Sequence, residues 1–203
     1  SWLTHQLEVG VSEGGRVARR EGKNATTSTY FGALTVVSFT PSDLDLVRGA
    51  PEERRRFLDR AIFNEQPAHL TLVLNYQRAL DARNRLLRDA APARLLRAYE
   101  ETLAELGARL MKQRARYLHS LSTSFTQSFH EICGFTGSLA YKPAISVTDP
   151  LSADQSALQE QLCVYWEQHR ASDLQRGFTQ RGPQSDDISL RLNERSAKAY
   201  ASQ

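Results

Sequence analysis

The stretch LDLVRGAPEERRRFLDRAIF, residues 44–63, sets three arginines in a row just after a Gly-Ala-Pro turn. Pro51 suits the first position of a helix, where its missing N–H is no loss. Glu52 and Glu53 then fall in the first turn, where the helix dipole favours negative charge. Glu52 stands four residues before Arg56, and Arg55 four before Asp59, the spacing at which opposite charges meet on a helix surface. Phe57, Leu58, Ala61 and Ile62 supply an apolar face. Local helix physics therefore predicts ion pairing for most of this charge. Phosphate contact by Arg54, Arg55 and Arg56 is the competing use.

Upstream, the chain reads as β structure to about residue 50. Leu7, Val9 and Val11 alternate with other residues, SEGG supplies a turn, and RVARREGK returns, which is a hairpin pattern. LTVVSF, residues 34–39, is a short apolar run of the kind a doubly buried strand shows. It ends at Thr40-Pro41-Ser42-Asp43, a turn suited to capping a short helix.

Downstream the rhythm becomes helical. Leu70, Val73, Leu74, Leu80 and Leu87 form a stripe broken at Gln77 and Asn84. RDAAPA interrupts it, and Pro92 opens a second helix. There Leu96, Tyr99, Leu103, Leu106, Leu110, Gln113 and Tyr117 follow alternating three- and four-residue steps. Leu121, Phe125, Phe129 and Ile132 continue at intervals near four. Two long antiparallel helices packed along a seam are predicted. Gly107 inside the second costs about 1 kcal/mol relative to alanine, so a close approach by its partner is expected there. Between residues 70 and 121 there are ten basic and five acidic side chains, so the hairpin carries the positive charge of the chain.

The last part mixes types. SLAYKPAISV, residues 138–147, alternates like a strand that Pro143 confines to an edge. Residues 153–177 read as a helix stopped by Gly177, and DDISLRLN as a strand with Ile188, Leu190 and Leu192 on one face.

Bulk properties bound the rest. The 203 residues are 40% hydrophobic with a net charge of +3, and a mean hydropathy of −0.49 points to much exposed surface. Mild basicity permits an anionic partner without requiring one. Cys133 and Cys163 show no pairing pattern, so a reducing cytoplasmic setting is expected. No apolar run approaches the roughly 18 residues of a membrane span.

LDLVRGAPEERRRFLD resembles the most recognisable segment of the RecF family, bacterial DNA replication and repair proteins with an ABC-type ATPase head. The family pattern of Phe-x-Pro-Glu-Asp-Leu, then Leu-Val-x-Gly-x-Pro-x-x-Arg-Arg-x-Phe-Leu-Asp, falls on residues 39–44 and 46–59. NYQRALDARNRLL and YEETLAELGARL resemble the two arm helices of the family. GFTQRGPQSDDISLRLN resembles its segment ahead of the ABC signature, and the final Ser202-Gln203 match the start of that signature. Four matches in order span nearly the whole chain.

The sequence departs from the pattern at Ser42, Ala82 and Tyr99-Glu100. It departs most at Gln184-Ser185, which stand where the family has His-Arg, so no role of that pair transfers. A phosphate loop needs Gly-x4-Gly-Lys-Ser/Thr. VARREGKNA, the nearest string, has Val17 in place of the first glycine and Asn24 in place of the hydroxyl, so the hairpin reading is preferred. There is also no apolar run ending in paired acids, as a metal-positioning strand requires.

The resemblance implies an α+β fold: an incomplete ABC-ATPase head, its β-rich lobe, with an inserted long antiparallel helical hairpin arm. Residues 1–62 would form head, 63–135 the arm, and 136–203 the return to the head. It implies a protein that binds ATP and magnesium, dimerises with nucleotide, binds DNA at single-strand/duplex junctions, and works with a RecR-like mediator to load recombinase at gaps. The phosphate loop would lie outside this stretch, so the segment alone is expected to be inactive, with no catalytic residue and no metal site of its own. Ser202 and Gln203 would touch nucleotide bound by the opposite subunit. Arg16, Arg19, Arg20 and Lys23 on the second hairpin strand join the arginine triplet as candidates for DNA contact. Asp186-Asp187 imitate an acid–base pair but are expected to begin a strand, and His130 with Cys133 make only half a zinc site. The competing reading is a helical-hairpin adaptor that binds protein along its stripe and has no nucleotide chemistry.

Overall fold

The computed structural model describes residues 6–12, 15–26, 29–30, 33, 40–193 and 195–197. The run at residues 34–39 and the terminal Ser202 and Gln203 lie outside the described residues.

The predicted hairpin is present. Strands β1 (Leu7–Ser12) and β2 (Gly15–Arg20) pair antiparallel, with Leu7 opposite Arg20 and Val11 opposite Arg16. A two-residue turn at Glu21 and Gly22, both with positive φ, leads to β3 (Lys23–Asn24). VARREGKNA is thus a hairpin and not a strand–loop–helix phosphate cradle.

A 3-10 turn, Pro41–Leu44, is tied by Asp43, whose carboxylate accepts from the Thr40 N–H and hydroxyl. Short helix α1 (Asp45–Arg48) follows, and α2 (Pro51–Glu65) starts with Pro51 in its first turn, as expected. Helices α3 (Ala68–Arg88) and α4 (Ala93–Cys133) form the antiparallel hairpin. Strand β4 (Gly137–Lys142) stops before Pro143, short of the expected 138–147, because proline has no N–H for the ladder, and among the described residues it is an edge strand. Helix α5 (Gln155–Arg176) is capped by Gly177 in the left-handed region. Strand β5 (Asp187–Leu192) pairs antiparallel with β4, and β6 (Arg195–Ser196) extends that sheet.

Two cores result. In the larger, Leu72, Tyr76 and Leu80 of α3 meet Leu103, Leu110 and Met111 of α4 and Leu158, Leu162 and Trp166 of α5. The hairpin is therefore covered along one side by a third helix. In the smaller core, Leu58 and Ile62 of α2 pack on Leu118 of α4 and Ile188 of β5.

The seam is rotated from the predicted one. Leu74 and Tyr99, placed in it by spacing alone, are 47% and 41% exposed. The buried face of α3 is instead His69, Leu72, Tyr76, Leu80, Arg83 and Leu87, and Glu100 and Arg114 join the buried face of α4. Polar residues enter the interior because each finds charged or hydrogen-bonding partners there. Phe57, expected on the buried face of α2, is 45% exposed. Gly107 meets the expected crowding: a Cβ there would stand 3.2 Å from Leu162 Cδ1 and Pro183 Cγ and 3.3 Å from Tyr76 Cε2. Three elements converge on that glycine.

Candidate functional site

Consecutive helix positions point about 100° apart, so three arginines in a row cannot share one environment. Arg54 is buried. Its Nε and Nη2 donate to both carboxylate oxygens of Asp187 at 2.6 and 3.2 Å, and its Nη1 donates to the Leu46 and Gly49 carbonyls. It thereby clamps the α1–α2 corner to the first residue of β5. Arg55 is half-buried and donates to the Asp186 carbonyl at 2.7 Å. Arg56 is exposed and pairs with Glu52 and Glu53 at 2.6 and 3.3 Å. The expected Glu52–Arg56 pair exists. The expected Arg55–Asp59 pair does not, because tertiary partners claim both residues.

Asp59 is held by Arg114, which donates Nε at 2.9 Å and Nη2 at 2.7 Å to its two oxygens, while His69 Nε2 stands 3.0 Å away. Burial alone pushes this carboxyl up, but the hydrogen bonds from His69 and Arg114 outweigh it and hold the group at about 2. The far nitrogen of His69 is 2.5 Å from Gln113 Oε1. Arg114 Nη1 also reaches the Pro183 carbonyl at 2.8 Å. Helices α2, α3 and α4 thus meet on one carboxylate, and the same arginine grips the segment that leads into β5.

That segment, residues 178–187, is fastened along its length. Thr179 donates N–H and hydroxyl to Asn84 Oδ1 at 2.7 and 2.8 Å. Trp166 Nε1 donates to the Arg181 carbonyl at 2.9 Å, and Tyr76 donates to Gln184 Oε1 at 2.5 Å. Gly182 has φ of 156°, and a Cβ there would stand 2.7 Å from Gln184 Oε1 and 3.1 Å from Trp166 Cζ2. Gln184, one of the pair that stands where the family has His-Arg, is therefore a contact between loop and hairpin. Asp186 is fully buried and accepts from the Tyr141 hydroxyl and from the Ala144 N–H at 2.7 Å. Burial raises its carboxyl pKa, and those two hydrogen bonds only partly oppose the shift. Asp187 opens β5, as expected, and Asp186 ends the 3-10 turn just ahead of it.

A second buried hub lies nearer the hairpin tip. Arg83 donates to Glu100 at 2.9 and 3.1 Å, to Asp173 at 2.8 Å and to Thr179 Oγ1 at 2.6 Å, and stacks 5.6 Å over the Trp166 ring. Arg170 completes Glu100 at 2.6 Å. Sequence reading missed Arg83, Glu100, Arg114 and Asp173. The signal was present: Arg83 stands midway between Leu80 and Leu87, and Glu100 between Leu96 and Leu103, each in step with an apolar stripe.

The other basic candidates occupy the first sheet. Cross-strand register puts Arg16, Arg20 and Lys23 on the face of Leu7, Val9 and Val11, whereas Arg19 lies on the opposite face with Glu8 as its neighbour. Arg16, Arg19 and Lys23 are exposed and Arg20 is half-buried. Val9, Val11 and Val17 are 54%, 76% and 45% exposed, so apolar and basic side chains share this ribbon. Arg16, Arg19 and Arg20 thus lie on a strand of the first sheet, whereas Arg54, Arg55 and Arg56 lie on helix α2. Among the described residues no three His, Cys, Asp or Glu side chains cluster in a way that would hold a metal. No helix there is long and apolar enough to cross a membrane.

No protein-family model matches the chain. Curated relatives do. The DNA replication and repair protein RecF of Myxococcus xanthus is 44% identical over 98% of this chain and 53% of its own length. That of Anaeromyxobacter sp. strain Fw109-5 is 40% identical over 98% of the chain and 54% of its own. The chain spans about half the length of the relatives it matches. Among solved structures, one described as the recombination mediator protein RecF-ATPrS in the RecFOR pathway superposes with a TM-score of 0.91 at 27% identity. It covers 98% of this chain and 55% of that one. A second, described as RecF-ATP, gives a TM-score of 0.89.

Proposed function

We propose, for a chain that has the sequence and fold of the central part of a RecF protein, that it works within a nucleotide-driven DNA repair machine. The observation that carries this reading is the agreement of sequence and fold across nearly the whole chain with proteins named for DNA replication and repair. In the intact protein, ATP with magnesium joins two copies, and the paired heads hold DNA at single-strand/duplex junctions. A RecR-like mediator then assists recombinase loading at gaps, and hydrolysis releases the clamp.

The described residues offer no phosphate cradle, so no chemical step is assigned to them. Their part is mechanical. The Arg54–Asp187 and Arg114–Asp59 pairs, with the Arg114–Pro183 bond, tie α2 and the hairpin to β5 and the turn ahead of it. Ser202 is the residue proposed to meet nucleotide on the opposite subunit. A DNA contact would use the side chains that keep an exposed charge: Arg16, Arg19, Lys23 and Arg56, with Arg20 at the margin.

The test is binding of gapped duplex by the full-length form with and without ATP, titrated across salt. Binding that strengthens with ATP, and weakens with salt as counterions are displaced, supports the reading. Indifference to both ATP and ionic strength rejects it.

A further inference from the structure

The hairpin has a second apolar face, on the side that α5 leaves uncovered. A groove of about 310 Å³ runs there between α3 and α4, lined by Arg78, Ala79, Ala82, Ala98, Tyr99 and Thr102. No residue of α5 lines it. Its floor is methyl groups from three alanines and a threonine, so the two helix backbones lie near its surface. Leu74 stands one turn before Arg78 on α3 and Leu95 one turn before Tyr99 on α4, 47% and 43% exposed, and Tyr99, in the lining, is 41% exposed. These include two residues whose spacing first suggested the seam. The hairpin is apolar on both sides, and one side is open.

The charge around the groove is uneven. Arg78, Ala82 and Arg85 follow at four- and three-residue steps along α3, so they share an edge. Arg94 opens α4 at the same end, whereas Arg88 Cγ stands 3.2 Å from where a Cβ of Gly177 would be and so lies against the end of α5. Among the described residues none of Arg78, Arg85 and Arg94 takes part in an ion pair, in contrast to Arg83, Arg97 and Arg114. The nearby Asp81 accepts from Gln77, and Asp89 is the residue after α3. Acidic Glu101 and Glu105 lie further along α4, away from the tip.

We infer that this groove docks an acidic amphipathic helix of a protein partner, with bulky apolar side chains on the alanine floor and carboxylates toward Arg78, Arg85 and Arg94. Docking of an apolar helix stripe between two helices is a recurring mode of recognition. The floor decides for protein over nucleic acid. A phosphate backbone gains nothing by drying methyl groups, whereas leucine or phenylalanine side chains do. The surface lies on the hairpin itself, so the inference does not depend on the nucleotide reading.

The test titrates the isotopically labelled chain with a synthetic helix bearing a leucine stripe flanked by glutamates. Amide shifts are expected at Ala79, Ala82, Ala98, Tyr99 and Thr102. Replacing the peptide glutamates by lysine is expected to weaken binding by about tenfold or more, the equivalent of about 1.4 kcal/mol. Ala98→Glu should abolish the shifts while the Trp166 indole resonance stays in place. Should that variant fail to fold, Tyr99→Ala, altering an exposed side chain, should still weaken binding. The inference is overturned by no shifts, by equal binding of the lysine peptide, or by tighter occupation of the same residues by a single-stranded oligonucleotide. Concentration-dependent shifts without peptide would also overturn it, since the face would then pair with a second copy.

Discussion

Arg83 and Asp173 stand 90 residues apart in the chain and 2.8 Å apart in the fold, with neither side chain more than 2% exposed. Around them Glu100, Arg170 and Thr179 balance the charge and complete the hydrogen bonds. A buried pair adds little over an apolar substitute, but removing one member strands its partner. Arg83→Ala is therefore expected to lower stability by about 3–5 kcal/mol in urea unfolding. The loss should shrink when Asp173→Asn is added, which a double-mutant cycle reads directly.

Asp59 makes stability fall in acid. Its folded value of about 2 lies below the ordinary 3.8, so its contribution is full above the unfolded value and disappears as pH drops through the folded one. The shift corresponds to about 2 kcal/mol. Asp186 works in the opposite sense: its raised value favours the folded state at low pH, and that contribution is lost as pH rises through it. Unfolding followed from pH 5 to pH 2 should show a fall that Asp59→Asn flattens and Asp186→Asn steepens.

Gly107→Ala pits two effects against each other. Helix propensity favours alanine by about 1 kcal/mol, but the new methyl would meet Leu162, Pro183 and Tyr76 at 3.2–3.3 Å on three sides. Overpacking in a full core costs typically about 1–3 kcal/mol, so a lower melting temperature is expected despite the better helix former.

Within the arginine triplet, stability and binding should separate. Arg54→Ala is expected to destabilise strongly, since it leaves the Asp187 carboxylate and two carbonyls without their donor. Arg56→Ala should change stability by about 1 kcal/mol or less. If Arg56 touches a phosphate in the intact protein, the same change lowers the salt slope of DNA binding by about 1. An unchanged slope removes it from the interface.

Local signals were legible where one element settled its own shape. The β1–β2 hairpin, Pro51 opening α2, the hairpin of α3 and α4, and the stop at Gly177 all follow from turn chemistry and periodicity. The rotation of the seam was only half legible: Arg83 and Glu100 fall in step with the apolar stripes, but a charged side chain is read as surface until its partners are known. The burial of Arg83, Glu100 and Arg114 depends on partners 17 to 96 residues away. The arginine triplet shows the same division. Glu52 with Arg56 is a matter of helix spacing, while the fates of Arg54 and Arg55 were decided by Asp186 and Asp187, which arrive more than 130 positions later.

Helix α4 runs for 41 residues, about 60 Å, without a break. Its Leu103 and Met111 belong to one core and its Leu118 to the other. Melting of either cluster must therefore fray a rod the other depends on, so heat should take both down in a single cooperative step. A protease nick near the middle of that rod would uncouple them into two transitions.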